Sequence, residues 1–322
     1  MNPPDSSSSS KSLRLPEPDA VERIRLREGF EVVAYRYGPE PRSARDVLIG
    51  VNGGPGLPCN YLRDSHAVLA ENGRSVVFYD QLGCGASDRP KDNSLWTLAR
   101  YVAELEQIRA HLGIAQFHLL GHSWGTWLGT EYCLTHPDRV RSYIAADGAV
   151  DIPHLVSELH RLRSALGDET VRMMVRREAD GSIAHPEYQA AITLLNYRHV
   201  CRLDQWPAPL QASLSDWNMD PYCTMQGPNE FTYTGNMKDW NRIPALPAIK
   251  AACLVLCGEY DELTPACSRR IHDALPDSRL VIFRDCSHMP FYERPAEYFA
   301  VLRTFLDEAA ARRPTAPASV IA

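Results

Sequence analysis

The sequence predicts an α/β fold, with a mostly parallel central sheet, helices on both of its faces and an inserted helical cap. Three observations carry this. Short apolar runs of strand length recur along the chain, several of them ending in a glycine-containing loop. Segments with apolar residues three and four apart alternate with them, and strand–helix alternation implies parallel strands covered on both faces. From residue 148 to about 246 the alternation stops, and helical pieces rich in Arg give way to a Pro/Trp/Asn-rich stretch between Trp206 and Trp240.

Taken in order, FEVVAYRY (30–37), DVLIGV (46–51) and SVVFYD (75–80) read as strands. Leu95, Leu98, Val102, Leu105, Ile108 and Leu112 sit at helical spacing over 94–112, with Ser94 as the N-cap. FHLLG (117–121) is a buried strand, 124–135 a helix stopped before Pro137, and RSYIAAD (141–147) a further strand. Beyond the irregular block, CLVLCG (253–258) and RLVIF (279–283) are strands, and 265–275 and 295–311 are helices. The expected organisation is a disordered Ser/Pro-rich tail over 1–20, a core of 21–147 and 247–311, a helical cap over 148–246, and a loose C-terminal tail over 312–322.

Composition excludes several function classes. The 322 residues carry 34 Lys+Arg against 40 Asp+Glu, a net charge of −6, which argues against nucleic acid as a partner because phosphate binding wants a basic surface. A hydrophobic share of 44% excludes a wholly disordered chain. No run of 18 apolar residues occurs and the N-terminus lacks the apolar core of a signal peptide, so no membrane partner is expected and the compartment is read as cytoplasmic. The nine cysteines are scattered, unlike a disulfide framework. Cys253 and Cys257 fall inside an apolar strand without a second pair, so they read as buried strand residues and not as zinc ligands. No metal and no cofactor are expected. The oligomeric state is not readable from the sequence.

Chemistry concentrates in Gly121-His122-Ser123-Trp124-Gly125, a G-x-S-x-G pentapeptide. It follows the strand FHLLG and opens a helix, the strand–turn–helix setting that exposes a serine on a tight turn. The flanking glycines leave room that side chains would fill. A serine needs a base, and His288 lies just past the last strand, where open α/β sheets place their chemistry. His122, beside the nucleophile, is read as structural. The base needs an orienting acid, and the loop after CLVLCG offers Glu259, Asp261 and Glu262.

GGPG (53–56), DQLGCGASDRP (80–90), GHSWG (121–125), GEYDELTP (258–265) and DCSHMPFYERP (285–295), in this order, resemble the proline iminopeptidase family of α/β-hydrolases. GPNEF (227–231) resembles its tricorn-interacting aminopeptidase and L-amino-acid amidase branch in particular. The resemblance spans roughly residues 25 to 307 and implies the α/β-hydrolase fold. It places the acid at Asp261. Two backbone N–H groups should meet the developing oxyanion: that of Trp124, after the nucleophile, and one from the loop 52–56, which the resemblance puts at Gly54 with Gly53 next. The family usually has His where this chain has Asn52, whose side chain can still bond neighbouring backbone. Cys84, in the DQLGCGAS loop, has no activating partner and reads as structural.

The resemblance further implies that Glu230 and Glu262 hold the free α-ammonium of a substrate, a task suited to two carboxylates in a closed pocket. Trp217, Phe231 and Tyr233, with Gly53, Trp124 and Trp240, are candidate walls for the first side chain. The expected function is a serine hydrolase that cleaves the amide bond after an N-terminal residue through an acyl-enzyme. It is read as an iminopeptidase-like aminopeptidase or an L-amino-acid (proline) amidase, acting on a small molecule or short peptide with a free N-terminus. Esterase or lactonase action is the alternative within enzymes. A non-catalytic small-molecule binder is the alternative of another class, disfavoured because Ser, acid and His are all present.

Overall fold

A computed structural model describes residues 16–312. The strands are β1 (Ala20–Arg25), β2 (Glu31–Tyr37), β3 (Asp46–Val51), β4 (Arg74–Asp80), β5 (Phe117–His122), β6 (Val140–Ala146), β7 (Ala252–Gly258) and β8 (Ser278–Phe283). The helices are α1 (Asn60–His66), α2 (Leu98–His111), α3 (Trp124–Thr135), α4 (Ile152–Ser164), α5 (Asp168–Ala179), α6 (Pro186–His199), α7 (Ala208–Ser215), α8 (Met219–Met225), α9 (Pro265–Ala274), α10 (Pro290–Glu293) and α11 (Pro295–Ala311). One sheet runs in the order β1-β2-β4-β3-β5-β6-β7-β8. β1 and β2 are antiparallel to their neighbours, and every pairing from β4 to β8 is parallel. No helix among the described residues is long and apolar enough to cross a membrane.

Strand periodicity splits the core into two. Ile49, Val77, Leu119 and Val255 enter one hydrophobic cluster, and their chain neighbours Leu48, Val76, Leu120 and Leu254 enter the other, so successive residues face opposite sides of the sheet. Burial on both faces explains why these strands read as continuous apolar runs.

Three local expectations differ. The helix expected from Ser94 starts later: Asn93–Leu95 form a single 3₁₀ turn capped by Asp92, and α2 begins at Leu98 with the Thr97 hydroxyl accepting Arg100 N–H. β1 has no counterpart in the apolar pattern, because an edge strand that leaves four of its six residues exposed has little such pattern to read. Of the tail expected over 1–20, residues 1–15 lie outside the described residues, whereas Asp19 bonds Arg36 and Gly38 and Ala20 is already in the sheet. Of the C-terminal tail, residues 313–322 lie outside them too.

The irregular block is a helical excursion, α4 to α8, between β6 and β7. Its two ends are zipped together: Ile152 N–H donates to Trp240 C=O at 2.9 Å and Arg242 N–H to Val150 C=O at 2.7 Å, around an Asp151–Asn241 bridge. The excursion returns over the C-terminal ends of the strands. Tyr61 N–H of α1 bonds Ser213 Oγ of α7, and Asn218 N–H bonds Gly56 C=O.

Candidate active site

Ser123 joins β5 to α3 with φ 56° and ψ −122°, a conformation that costs a non-glycine residue about 1–3 kcal/mol. The sequence makes room for this turn. A Cβ at Gly121 would strike the Gly125 carbonyl, and one at Gly125 would strike the Val51 carbonyl of β3. Ser123 N–H is anchored on Ala146 C=O at 3.0 Å.

His288 Nδ1 lies 2.8 Å from Asp261 Oδ1, which also accepts Leu263 N–H at 2.9 Å. Both side chains are buried. Of the three acids in the loop, Asp261 therefore meets the imidazole; Glu259 instead accepts Asp285 N–H at the surface. Glu262 is buried with Oε1 3.8 Å from His288 Nε2, and its Oε2 has no partner. The cap reaches both loops: the His199 carbonyl at the end of α6 accepts His288 N–H at 3.1 Å and Glu262 N–H at 3.3 Å.

The loop after β3 is held tightly. Asn52 Nδ2 donates to Leu57 C=O at 2.6 Å and Gly53 C=O at 3.1 Å, so the amide does the local bonding expected of it. Gly53 N–H donates to Tyr61 Oη at 2.6 Å and is occupied. A Cβ on Gly53 would stand 3.0 Å from Ser123 Cβ and 2.8 Å from Tyr61 Oη, so the loop presses its backbone against Ser123. Within the described residues the N–H groups of Gly54 and Trp124 have no acceptor.

Glu230 of the cap is half-buried, and Gln226 Nε2 donates to its Oε2 at 3.0 Å. Burial raises its carboxyl above the usual range, opposed by the Gln226 bond, His288 and Tyr222. Burial, then Glu230, then Asp261 push Glu262 well above that range. Burial, then Glu230, then Glu262 push the Tyr233 phenol up. The other proposed walls are distributed differently. Trp217 donates to Pro55 C=O and packs on Tyr222, and Phe231 is buried in the core cluster. Trp240 turns to Glu131 and lines a separate apolar cavity of about 600 Å³ beside α2 and α3.

Sequence reasoning missed several residues here. Tyr61 Oη lies 2.8 Å from His122 Nδ1, and His122 Nε2 lies 3.0 Å from His288 C=O. A carbonyl only accepts, so His122 carries its proton on Nε2, and Tyr61 donates to Nδ1. Burial and His288 keep the His122 pKa far below normal, consistent with this neutral tautomer. Gln81, in the quoted DQLGCG segment, accepts Trp124 Nε1–H at 2.9 Å and donates to Asn52 Oδ1 at 3.3 Å, tying the elbow to the loop. Cys84 is buried with its thiol on Gln81 C=O, and burial holds its pKa well above normal, as a structural cysteine requires.

The geometry has counterparts among known proteins. Residues 46–295 match the family model for the alpha/beta hydrolase fold. The chain is 39% identical over 276 residues to the proline iminopeptidase of Heyndrickxia coagulans, covering 85% of this chain and 95% of the relative. It is 37% identical over 263 residues to that of Saccharolobus solfataricus, covering 81% and 84%. The crystal structure of the proline iminopeptidase of Mycobacterium smegmatis superposes with a TM-score of 0.82 at 34% identity, covering 90% of this chain and 99% of that one. That of VinJ does so with 0.85 at 30%, covering 91% and 99%. An eight-stranded sheet with a serine elbow, matched across nearly all the described chain, makes this protein a serine hydrolase that belongs to the proline iminopeptidase family of α/β-hydrolases.

Proposed function

We propose that the protein removes an N-terminal residue, proline above all, from a small amide or short peptide whose α-amino group is free. Ser123 attacks the carbonyl, His288 takes its proton and then gives it to the leaving amine, and Asp261 holds the imidazole. The N–H groups of Gly54 and Trp124 receive the oxyanion; Gly53, whose N–H is held by Tyr61, is set aside as a donor. Water activated by His288 then clears the acyl-enzyme. A substrate ammonium rests between Glu230 and Glu262, with Tyr233 and Trp217 beside the first side chain.

The observation that carries this reading is Glu262: a fully buried carboxylate beside the imidazole, with one oxygen unpartnered and a second carboxylate close enough to repel it. Such a pair is costly when empty and is relieved by one cation. Nine free cysteines, eight of them buried, support work in a reducing compartment such as the cytoplasm.

The test is kcat/KM on prolinamide, Pro-p-nitroanilide, a Pro-X dipeptide and the N-acetyl form of each. Glu230→Gln and Glu262→Gln are expected to lower kcat/KM on free-amine substrates by about 100-fold, the value of a charge-assisted contact in a buried site. Acetylated substrates should be poor for every variant. Equal turnover of acetylated and free substrates by the wild type would remove the ammonium clamp. The ratio of prolinamide to dipeptide turnover decides between amidase and peptidase.

A further inference from the structure

Asp147 follows the last residue of β6, at the C-terminal edge of the sheet, and is fully buried. It adopts the left-handed region, with φ 49°. Two bonds pin it there: its N–H donates to Leu256 C=O at 2.7 Å, and its Oδ1 accepts Gly258 N–H at 3.2 Å, both on β7. Its Oδ2 has no N–H or O–H partner among the described residues, and neither has Oδ2 of Asp261. One oxygen of each carboxyl and a ring nitrogen of His288 lie within 4.8 Å of one another.

Ionising both of two carboxyl groups this close and this dry is costly, and one proton between them removes the cost. Asp261 is the one that accepts, since its Oδ1 takes both His288 Nδ1–H and Leu263 N–H. Asp147 has one backbone donor and no cation. Around it, His122 Nε2 stands 3.9 Å from its Oδ2 and spends its proton on His288 C=O. Glu293 from α10, Cys257 from β7, Tyr298 from α11, Tyr61 from α1 and Cys286 from the loop after β8 also feel its charge, and all of them are acids. Burial and Asp261 raise the Asp147 carboxyl well above the usual range. His288 Nδ1 and Asp261 Oδ1 are not placed to share a cation. The 2.8 Å between His288 Nδ1 and Asp261 Oδ1 is a hydrogen bond, too short for two ligands each about 2.0–2.2 Å from a tetrahedral metal.

We propose that Asp147 is a positioning residue held as the neutral acid, whose O–H donates to Asp261 Oδ2 and so fixes the carboxylate that orients His288. This rests on Asp261 and His288 being the acid and base of the reaction. The shared proton satisfies two otherwise orphaned buried oxygens at once. It also spreads the Asp261 charge over three donors, which moderates its pull on the imidazolium.

The test compares Asp147→Asn, which keeps a donor and tolerates the left-handed backbone, with Asp147→Gly, which keeps the backbone and removes the donor. Asp147→Gly should lower kcat on Pro-p-nitroanilide about 10- to 100-fold with little change in KM, and raise the acid limb of the kcat/KM profile. Asp147→Asn should restore most of the lost kcat and leave the acid limb within about 0.3 unit of wild type. The wild type should show an infrared carbonyl band of a protonated carboxyl that Asp147→Asn removes. Three results overturn the proposal: an acid limb lowered by about a unit or more in Asp147→Asn, the mark of a lost negative charge; no protonated-carboxyl band assignable to Asp147; or both variants matching wild type in kcat and profile. If instead His288→Ala or Asp261→Asn kept full activity, the triad reading would fail by itself, while the infrared band would still report the state of Asp147.

Discussion

Tyr61 and His122 form a hydrogen-bonded pair, 2.8 Å between Oη and Nδ1, that links the two halves of the site. On one side the phenol takes Gly53 N–H from the loop after β3; on the other His122 donates to the backbone carbonyl of His288. The loop after β3 and the loop that carries His288 are thus joined through one phenol. Tyr61→Phe leaves a buried donor and a buried acceptor unpaired, at about 1–3 kcal/mol each. We expect a lower melting temperature and kcat on Pro-p-nitroanilide reduced about tenfold, with KM little changed. Wild-type kcat in this variant would show that the two loops hold their places independently.

The carboxylate pair should make the enzyme less stable than its fold allows. Glu262 has a folded pKa above its unfolded value, so between the two the folded state binds more protons. Stability therefore falls as pH rises through that window. Glu262→Gln removes this loss: its melting temperature should exceed that of wild type at pH 7 to 8 and approach it near pH 4, while activity on free-amine substrates drops. A variant less stable than wild type at pH 8 would contradict the assigned strain.

Acid should unfold the protein through buried histidines. His66 is walled by Phe291, Tyr298 and Phe299, and burial lowers its pKa to about 3. His118, on β5, is lowered to about 4 for the same reason. Here the unfolded chain binds the extra protons, so stability present above pH 6.5 is lost as pH falls toward 4, by a few kcal/mol for each group. Denaturant midpoints from pH 7 to pH 4.5 measure this. His66→Gln should flatten the slope, and an unchanged slope would move the cause elsewhere.

Gly125 is a packing requirement of the elbow. Any Cβ there meets the Val51 carbonyl, with the Asn52 carbonyl next at 3.2 Å. Backbone cannot swing aside as a side chain can, so Gly125→Ala should cost about 2–4 kcal/mol and shift the loop after β3 away from Ser123. Labelling of Ser123 by a fluorophosphonate should slow at least as much as stability falls. Rapid labelling of folded Gly125→Ala would show that the loop adapts.

The elements legible in the sequence were those whose cause is local. DVLIGV, FHLLG and CLVLCG read as strands because their residues are buried on both faces, and GHSWG read as an elbow because glycines flank a serine between strand and helix. His288 stands out by lying just past a strand end, and Asp261 is distinguished from Glu259 and Glu262 only by the family resemblance. β1 was hidden because backbone pairing with β2, not its side chains, makes it a strand. Ser94 does not cap α2, because Asp92 first turns the chain through Asn93–Leu95, leaving Thr97 to start the helix.

What the sequence determined by itself was the order of strands and helices, the turn at Ser123 and the candidate groups on the loops beyond the strands, all products of propensity, periodicity and steric room between chain neighbours. Only the tertiary structure decided that Gly53 N–H is spent on Tyr61, that His122 braces His288, that Trp240 faces a different cavity, and that Asp147 stands against Asp261. These depend on which distant segments are brought together and dried, and a hydrogen bond between such groups leaves no mark in the residues that flank either partner.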